Sequence, residues 1–537
     1  MEESGTSRRG FLRNVGIAGG AGVLYSSMGA MGLAPVPIAS AEPFRPPRES
    51  DFKLSGRGKR TVVVLGAGIA GLTTAYELGK AGYECVILEA KDRPGGRNWT
   101  ARGGTTETDL DGRTQKARFS EGQYMNCGPG RLPQSHVTLD YCRELGVEVQ
   151  PFINANADAV IYHENSPGPL GKTPVRWRTA KADTYGYVSE LLAKATDQGA
   201  LDQTLTKDDK DRLLSFLQSF GAIGNKANGY KYNGTSRRGY SVEPGAGDEA
   251  GTVLGPVPSM SDVLAGGLGQ RFSFELGYDQ AMMMFQPVGG MDAIPKALAK
   301  AIERGRGSIE YRAEATAVTN TAHGVEVTYK DRHGRTKVQR GDFCVVATPP
   351  MIAARLRHNL GTNVTSALQT PRTTSSGKIG LEYRRRWWEE DDNFYGGVVP
   401  TDMDLANMWF PSSGFHGRRG TVVGYYNTGS NADAYGRLTH KERETRAVAQ
   451  GVKIFGERYR TELDSSFSVA WQRTPHLEAA WVGWPDQNGP EYKLLNQPSG
   501  NVYFAGDWLS HTIAWQHGAF TSARQAVTHI HERVMSA

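Results

Sequence analysis

Residues 61–97, TVVVLGAGIAGLTTAYELGKAGYECVILEAKDRPGGR, decide the fold of this 537-residue chain. The Val-rich start at 61–65 predicts a buried strand, residues 72–81 predict a helix, and residues 83–89 predict a second strand. Together they form a βαβ unit of about 30 residues. The turn GAGIAG at 66–71 matches the G-x-G-x-x-G pattern of dinucleotide-binding folds.

Each part of this turn has a physical role in holding a dinucleotide. Gly66 permits the tight turn, Gly68 lets the backbone approach the pyrophosphate, and Gly71 lets helix and strand pack closely. The helix N-terminus presents free N–H groups to the phosphates. Glu89, at the end of the second strand, can accept hydrogen bonds from a ribose and would repel the 2′-phosphate of NADP. Further cofactor contacts are predicted at Ile69, Ala70 and Ala90.

The composition excludes several classes of function. The net charge is +6, and the one dense basic run, at 384–386, is followed closely by acidic residues at 389–392. This even distribution predicts no nucleic-acid partner. The four cysteines, at positions 85, 127, 142 and 344, have neither CxxC nor metal-ligand spacing, so we expect free thiols and no metal site.

The first 41 residues have the features of an export signal. SRRGFLR at residues 7–13 matches the twin-arginine pattern, a Gly/Ala-rich stretch follows at 14–38, and Ala39-Ser40-Ala41 forms an A-x-A cleavage site. We therefore expect export by the twin-arginine route to the periplasm or medium, with an N-terminal membrane anchor as the alternative. No other run of about 20 apolar residues occurs, so no membrane contact is expected for the mature form.

Arg93-Pro94-Gly95-Gly96-Arg97 follows the ribose carboxylate, and R-x-G-G-R at this place is typical of FAD amine oxidases. The chain resembles the flavin amine oxidase superfamily, in particular its L-amino acid oxidase branch. The similarity lies in four blocks, at about 60–155, 285–350, 378–430 and 495–535.

This resemblance implies an α/β fold, in which a Rossmann-like FAD-binding domain of the glutathione-reductase type is interleaved with an α+β substrate domain and a helical subdomain. The FAD is expected to be non-covalent, because no cysteine follows Cys344. A homodimer is common in such relatives. The expected division is a signal at 1–41, a linker at 42–58, FAD-binding segments at 59–133, 285–350 and 495–537, and substrate and helical segments at 134–284 and 351–494.

The resemblance also implies a substrate clamp. In Gly128-Pro129-Gly130-Arg131-Leu132-Pro133 the arginine matches the family's carboxylate-binding arginine, and Gly130 replaces the family's methionine. A guanidinium fork suits a carboxylate bidentately, although an ordinary structural ion pair is the alternative for Arg131. A tyrosine hydroxyl is expected to bind the same carboxylate, and Tyr426 is the first choice. Tyr425 is the alternative, because a one-residue shift of the strand register would turn it to that face instead.

Three further positions complete the implied site. Lys378 matches the lysine that holds a water near flavin N5, and Asp507 matches an acidic residue that binds FAD. Trp515 is expected to wall the substrate cage beside Ala514, where the family has a glycine, and the following helix points its N-terminus at the flavin. The remaining implied cofactor contacts are Arg97, Gly128, Pro129, Gly130, Arg131, Ala315, Gln516, His517, Gly518 and Ala519.

The implied reaction is oxidation of an L-amino acid by O2 to a 2-oxo acid, ammonia and H2O2. Alternatives are an oxidase of amines without a carboxylate, an amino-acid 2-monooxygenase, and an exported flavin-binding partner protein without turnover. No histidine base is assigned, since Phe274 falls near where some relatives have histidine. Side-chain preference is expected to depend on residues 156–284 and on Trp471, Trp481 and Trp484.

Overall fold

The predicted βαβ unit forms the centre of a five-stranded parallel sheet. A computed structural model describes residues 52–281 and 283–537 of the chain. The sheet order is Gly307–Tyr311, Glu84–Glu89, Thr61–Leu65, Phe343–Val346 and Val502–Phe504. The parallel sheet thus takes strands from three distant stretches of chain. Its inner strands are rich in β-branched residues because both faces are covered.

The two faces of the parallel sheet pack against different layers. Val62 and Val64 contact the helices Ile69–Lys80, Ala293–Arg304 and Gln516–Met535. Val63 and Leu65 point the other way, as the two-residue period of a strand requires, and pack against an antiparallel meander. The meander consists of Glu314–Thr321, Gly324–Lys330 and Thr336–Gly341.

A second five-stranded sheet, here called the antiparallel sheet, faces the first across a cavity. Its order is Gly397–Pro400, Asn407–Phe410, Gly420–Thr428, Ser376–Tyr383 and Leu463–Ala470. All eight residues of Ser376–Tyr383 are buried, since this strand has neighbours on both edges and is covered on both faces. In the register of the sheet, Lys378 stands opposite Tyr426.

Two helices, Trp177–Asp197 and Lys207–Gly221, lie in the part of the chain between the blocks of family resemblance. The second helix begins at a capping box, in which the Thr206 hydroxyl accepts the Asp209 N–H and the Asp209 carboxylate accepts the Thr206 N–H. Phe220 in this helix is 43% exposed, because the helix buries only one edge of its apolar face.

Several predicted boundaries shift by a few residues. The first helix begins at Ile69 rather than at residue 72, and the second strand begins at Glu84 rather than at residue 83. The remaining α-helices of the described residues are Thr138–Glu144, Met260–Gly266, Tyr278–Ala281, Pro350–Ala353, Thr362–Gln369, Trp387–Glu390, Gly429–Gly436, His440–Phe455, Arg458–Thr461 and Pro490–Leu495. The remaining strands are Thr100–Arg102, Thr106–Thr108, Thr114–Lys116, Tyr124–Asn126, Leu132–Pro133, Val149–Phe152, Val160–Ile161, Val175–Arg176, Tyr240–Val242, Thr252–Val253, Met284–Pro287, Arg357–His358, Arg372–Thr374 and Trp481–Gly483.

The fold class and the state of the cysteines agree with the sequence. The α/β fold is confirmed, and all four cysteines are buried and free. Within 52–281 and 283–537, no helix has the length and apolar character needed to cross a bilayer, and no cluster of His, Cys, Asp or Glu could hold a metal. The signal at 1–41 and most of the linker at 42–58 lie outside the described residues, and the domain division stays a prediction.

Candidate active site

A cavity of about 660 Å³, here called the main cavity, lies between the two sheets. One end is formed by Gly66, Glu89, Ala347 and Gly506, which follow or end four strands of the parallel sheet. Ligands of open α/β sheets bind at these carboxyl ends of the strands. The other end is formed by side chains of the antiparallel sheet, so the main cavity joins a dinucleotide-binding turn to a second binding region.

The glycine turn at the first end leaves open the space that a bound pyrophosphate would occupy. Gly66 has φ +97°, a conformation that favours glycine. A Cβ on Gly71 would lie 1.9 Å from the Gly66 carbonyl oxygen, whereas a Cβ on Gly68 would meet no atom within 4 Å. The helix that follows has no side-chain cap, so its first N–H groups are free to bind phosphate.

Glu89 is held in place beside this turn by the backbone. Its Oε2 accepts the Ala67 N–H at 2.6 Å, and its Oε1 accepts the Lys91 N–H at 2.8 Å. Burial raises the pKa of Glu89, and the two backbone hydrogen bonds oppose that rise. A carboxylate has about four acceptor positions, so these bonds leave capacity for a ribose hydroxyl at a residue that lines the main cavity.

Arg97 and Asp507 connect two cofactor segments that are 410 residues apart in sequence. Arg97 Nη2 donates to Asp507 Oδ1 at 2.6 Å, and Nη1 donates to the Ala480 carbonyl at 2.6 Å. The other carboxylate oxygen of Asp507 accepts the Ala514 N–H at 3.1 Å. Ala514 has φ +67°, and this turn directs the uncapped N-terminus of the helix Gln516–Met535 toward the main cavity.

Most of the predicted cofactor residues line the main cavity, and three do not. Gly71 and Gly518 have packing roles, since a Cβ on Gly518 would lie 2.2 Å from Ser510 Oγ. His517 turns away, and its Nδ1 accepts the Val137 N–H. The predicted residues that do line the main cavity are Gly66, Gly68, Ile69, Ala70, Glu89, Ala90, Arg97, Gly128, Pro129, Gly130, Arg131, Ala315, Asp507, Ala514, Trp515, Gln516 and Ala519.

The second end of the main cavity is an aromatic cage around two cations. Arg131, Lys378, Tyr426 and Trp515 all line it. Tyr425 is completely buried, and its ring packs at 4.6 Å from that of Tyr435. Neighbouring strand residues point to opposite faces, so the structure places Tyr426, and not Tyr425, at the cage.

Lys378 is buried without an acidic partner among the described residues. Its Nζ donates to the Gly128 carbonyl at 2.5 Å and lies 4.4 Å from the centre of the Trp409 ring. Burial and the nearby Arg131 guanidinium lower the pKa of Lys378 to about 7. The amine therefore exchanges protons near neutral pH, and it does so in contact with the carbonyl of Gly128, which lines the main cavity.

Arg131 is the second buried cation, with 9% of its surface exposed. Its Nη1 donates to Asn154 Oδ1 at 2.8 Å, and its guanidinium lies 4.9 Å from the Trp409 ring and 5.3 Å from the Phe274 ring. Across the described part of the chain, no carboxylate pairs with it. Burial lowers the pKa of Arg131 to about 10, so it remains charged near neutral pH.

Trp409 is the cage residue that sequence reasoning missed. Its ring contacts Lys378, Arg131 and Tyr426, the last edge-on at 5.0 Å. A Cβ on Gly130 would lie 2.7 Å from this ring, so the glycine that replaces the family's methionine makes room for the tryptophan. Of the tryptophans predicted to set substrate preference, Trp471 and Trp481 line the main cavity and Trp484 does not. No local sequence signal identifies Trp409, because its partners come from distant elements.

Comparisons with known proteins agree with this geometry. The family model described as flavin containing amine oxidoreductase matches residues 69–531. The chain is 26% identical to an L-amino-acid oxidase of Demansia vestigiata, covering 88% of this chain and 87% of that protein. It is 25% identical to an L-amino-acid oxidase of Vipera ammodytes ammodytes, covering 84% and 89% of the two chains.

The fold also resembles a solved structure. Cyclohexylamine oxidase from Brevibacterium oxydans IH-35A aligns with a TM-score of 0.58 at 17% identity, over 89% of this chain and 100% of that chain. The family match covers most of the sequence and includes the dinucleotide-binding helix and most of the final helix. The chain therefore belongs to the family of flavin-containing amine oxidoreductases.

Proposed function

We propose that this flavin-dependent oxidoreductase is an L-amino acid oxidase that uses non-covalent FAD and O2 and releases a 2-oxo acid, ammonia and H2O2. The family establishes flavin-dependent chemistry on amines. The observation that supports an amino acid is the buried Arg131 at the cage end of the main cavity, which has no carboxylate partner within 52–281 and 283–537.

An unpaired buried cation is unfavourable because burial removes its hydration. Among the described residues, Arg131 donates to the side-chain amide of Asn154 and lies against the Phe274 and Trp409 rings. None of these neutralises its charge. An entering carboxylate would supply the missing partner through two parallel N–H···O bonds. Breaking such a buried pair by removing one partner costs about 3–5 kcal/mol, which is enough to favour amino acids over simple amines.

The rest of the cage suits a substrate anchored at Arg131. The Tyr426 hydroxyl can donate to the same carboxylate, and burial raises the pKa of Tyr426, which keeps the phenol protonated. Trp515 and Trp409 form apolar walls that exclude water. Anchoring at one end limits the orientations of the Cα–H bond, and such positioning contributes several kcal/mol to catalysis.

The residues at the other end fit FAD. Gly66, Gly68 and the first turn of the following helix would hold the pyrophosphate, and Glu89 a ribose. Asp507 and the helix that begins at Gln516 would hold the flavin half. When bound, FAD supplies the two-electron acceptor that O2 regenerates. Of the four cysteines, all buried, none follows Cys344 in the sequence, which supports non-covalent binding.

The test is a substrate screen of the purified protein with the twenty L-amino acids and a panel of amines. Peroxide, ammonia and flavin absorbance are followed together. We expect peroxide and ammonia in equal amounts from L-amino acids. Reaction with amines alone would overturn the role of Arg131, an amide product would indicate a 2-monooxygenase, and an unbleached flavin would indicate a protein without turnover.

Export is a separate proposal that rests on residues 1–41. The twin-arginine route carries folded proteins, which suits an enzyme that loads its cofactor before it leaves the cytoplasm. The measurement is the N-terminal sequence of protein recovered from the periplasm or medium. We expect it to begin at Glu42, and a chain that retains Met1 in a membrane fraction would contradict the proposal.

A further inference from the structure

A second cavity, of about 270 Å³, lies behind the cage and is here called the rear cavity. It meets the main cavity at three residues that line both: Gly130, Lys378 and Trp409. The Trp409 ring stands between the two spaces, 4.4 Å from Lys378 Nζ. Lys378 can therefore be approached from two sides.

The rear cavity is lined by apolar side chains and by several hydrogen-bonding groups. Gln286 is 5% exposed, and its Nε2 is a buried donor with no partner among the described residues. Thr421 Oγ1 donates to Gln123 Oε1 at 3.2 Å across the same wall. A buried amide donor without a partner is unfavourable, so the lining suits a small molecule that can accept a hydrogen bond.

The far end of the rear cavity reaches the surface. Gly414, Gly417 and Arg418 line it, and all three are exposed. The rear cavity thus runs from a surface loop, past Thr421 and Gln286, to Lys378. Water is the small polar molecule that solvent supplies at that loop, and a polar space of this size can hold several water molecules.

A second route from solvent to Lys378 matters because cofactor and substrate would occupy the first route, the main cavity. FAD and an amino acid held at Arg131 would together fill the main cavity in front of Lys378. A lysine that gains and loses a proton near neutral pH then needs a path to solvent from another side. The rear cavity is the path that Lys378 itself lines.

We propose that the rear cavity is a water passage that connects Lys378 to solvent while cofactor and substrate fill the main cavity. This inference rests on the proposed function, since it requires the main cavity to be closed by FAD and a carboxylate ligand. Its test is the accessibility of the Lys378 amine, which is measured without turnover.

The probe is cyanate, whose small neutral acid form carbamylates uncharged amines. FAD-loaded protein is saturated with benzoate, a carboxylate that has no amine to oxidise, and the flavin spectrum reports whether benzoate binds. Site-resolved peptide mass spectrometry then gives the carbamylation rate at Lys378, with the exposed Lys207 as internal standard. We expect Lys378 to be modified in this fully loaded state.

Thr421→Phe would fill the passage midway without touching the main cavity. We expect it to slow carbamylation of Lys378 by about tenfold, equivalent to about 1.4 kcal/mol of activation free energy. Thr421→Ser is the matched control and should leave the carbamylation rate of Lys378 unchanged. The carbamylation rate of Lys207 should be the same in every sample.

A reversible block of the rear cavity, introduced after folding, separates the effect of blocking from any effect of a substitution on folding. Thr421→Cys adds a thiol that benzyl methanethiosulfonate can modify after folding, since the four native cysteines are buried. Modification should slow carbamylation of Lys378, and dithiothreitol should restore it. An unchanged rate in both the phenylalanine variant and the blocked thiol would overturn the passage. Failure of benzoate to perturb the flavin would instead count against the carboxylate clamp.

Discussion

The two ends of the main cavity are built in different ways. The cofactor end is mostly backbone, with the turn at 66–71 and two helix N-termini contributed by short, contiguous segments. The cage end is mostly side chain, with Arg131, Lys378, Trp409 and Tyr426 contributed by separate elements. Backbone geometry follows from local sequence, whereas a cage of side chains requires several elements to meet. The two ends should therefore respond differently to substitution.

The largest effects should come from breaking the cofactor end. In Gly71→Val the new side chain would collide with the Gly66 carbonyl, and backbone cannot yield as a flexible side chain can. We expect a cost above the roughly 1–3 kcal/mol of ordinary overpacking, with loss of bound flavin and a lower Tm of the apoprotein.

Gly68→Val is the matched control for that variant. Space around Gly68 is open and its φ of −71° suits any residue, so the apoprotein should keep its Tm. FAD should nevertheless bind about 100-fold more weakly, about 2.7 kcal/mol, because the side chain stands where the pyrophosphate approaches. Equal losses of Tm in both variants would contradict the separate roles given to the two glycines.

The next largest effect should come from the cage. Arg131→Met keeps the apolar stem but removes the carboxylate partner, and we expect kcat/KM for amino acids to fall by roughly 150- to 5,000-fold, equivalent to about 3–5 kcal/mol. Bound flavin per chain should not change. Arg131→Lys retains the positive charge without the guanidinium fork, so its kcat/KM should lie between those of the wild type and the methionine variant. Wild-type kinetics in the methionine variant would remove the clamp.

The effect of a second cage residue, Lys378, is on stability and its pH dependence. The pKa of Lys378 falls from 10.5 to about 7 on folding, so between these pH values the unfolded chain binds more protons and stability rises with pH. The penalty is fully present below pH 7 and disappears above pH 10.5. Lys378→Met removes it, so the gain in Tm of the apoprotein should be larger at pH 6 than at pH 10. A gain independent of pH would contradict the lowered pKa.

The smallest effect should come from Gly130. Gly130→Ala places a methyl group against the Trp409 ring, which must shift, and we expect about a tenfold change in relative kcat/KM among amino acid side chains, about 1.4 kcal/mol. Trp409→Phe in the same chain frees space and should restore part of the original preference. Additive effects in this double-mutant cycle would mean that the two positions do not interact.

The sequence is most informative where the chemistry is local. The strand Thr61–Leu65, the glycine turn and Glu89 lie where they were expected, because a G-x-G-x-x-G turn after a buried strand has few alternative conformations. The sequence is less informative where a residue belongs to a packed helix. His517 and Gly518 were expected at the cofactor, yet they face Val137 and Ser510, since a motif does not state which of its residues point at the ligand.

The sequence by itself determined the dinucleotide-binding turn, the family and the candidate cations Arg131 and Lys378, because each depends on a short pattern. Only the tertiary structure decided that Tyr426 rather than Tyr425 faces the cage, that Arg131 has no carboxylate partner among the described residues, and that Trp409 separates two cavities. The physical reason is that facing, burial and charge pairing depend on contacts between strands far apart in sequence. Those contacts exist only once the two sheets have packed.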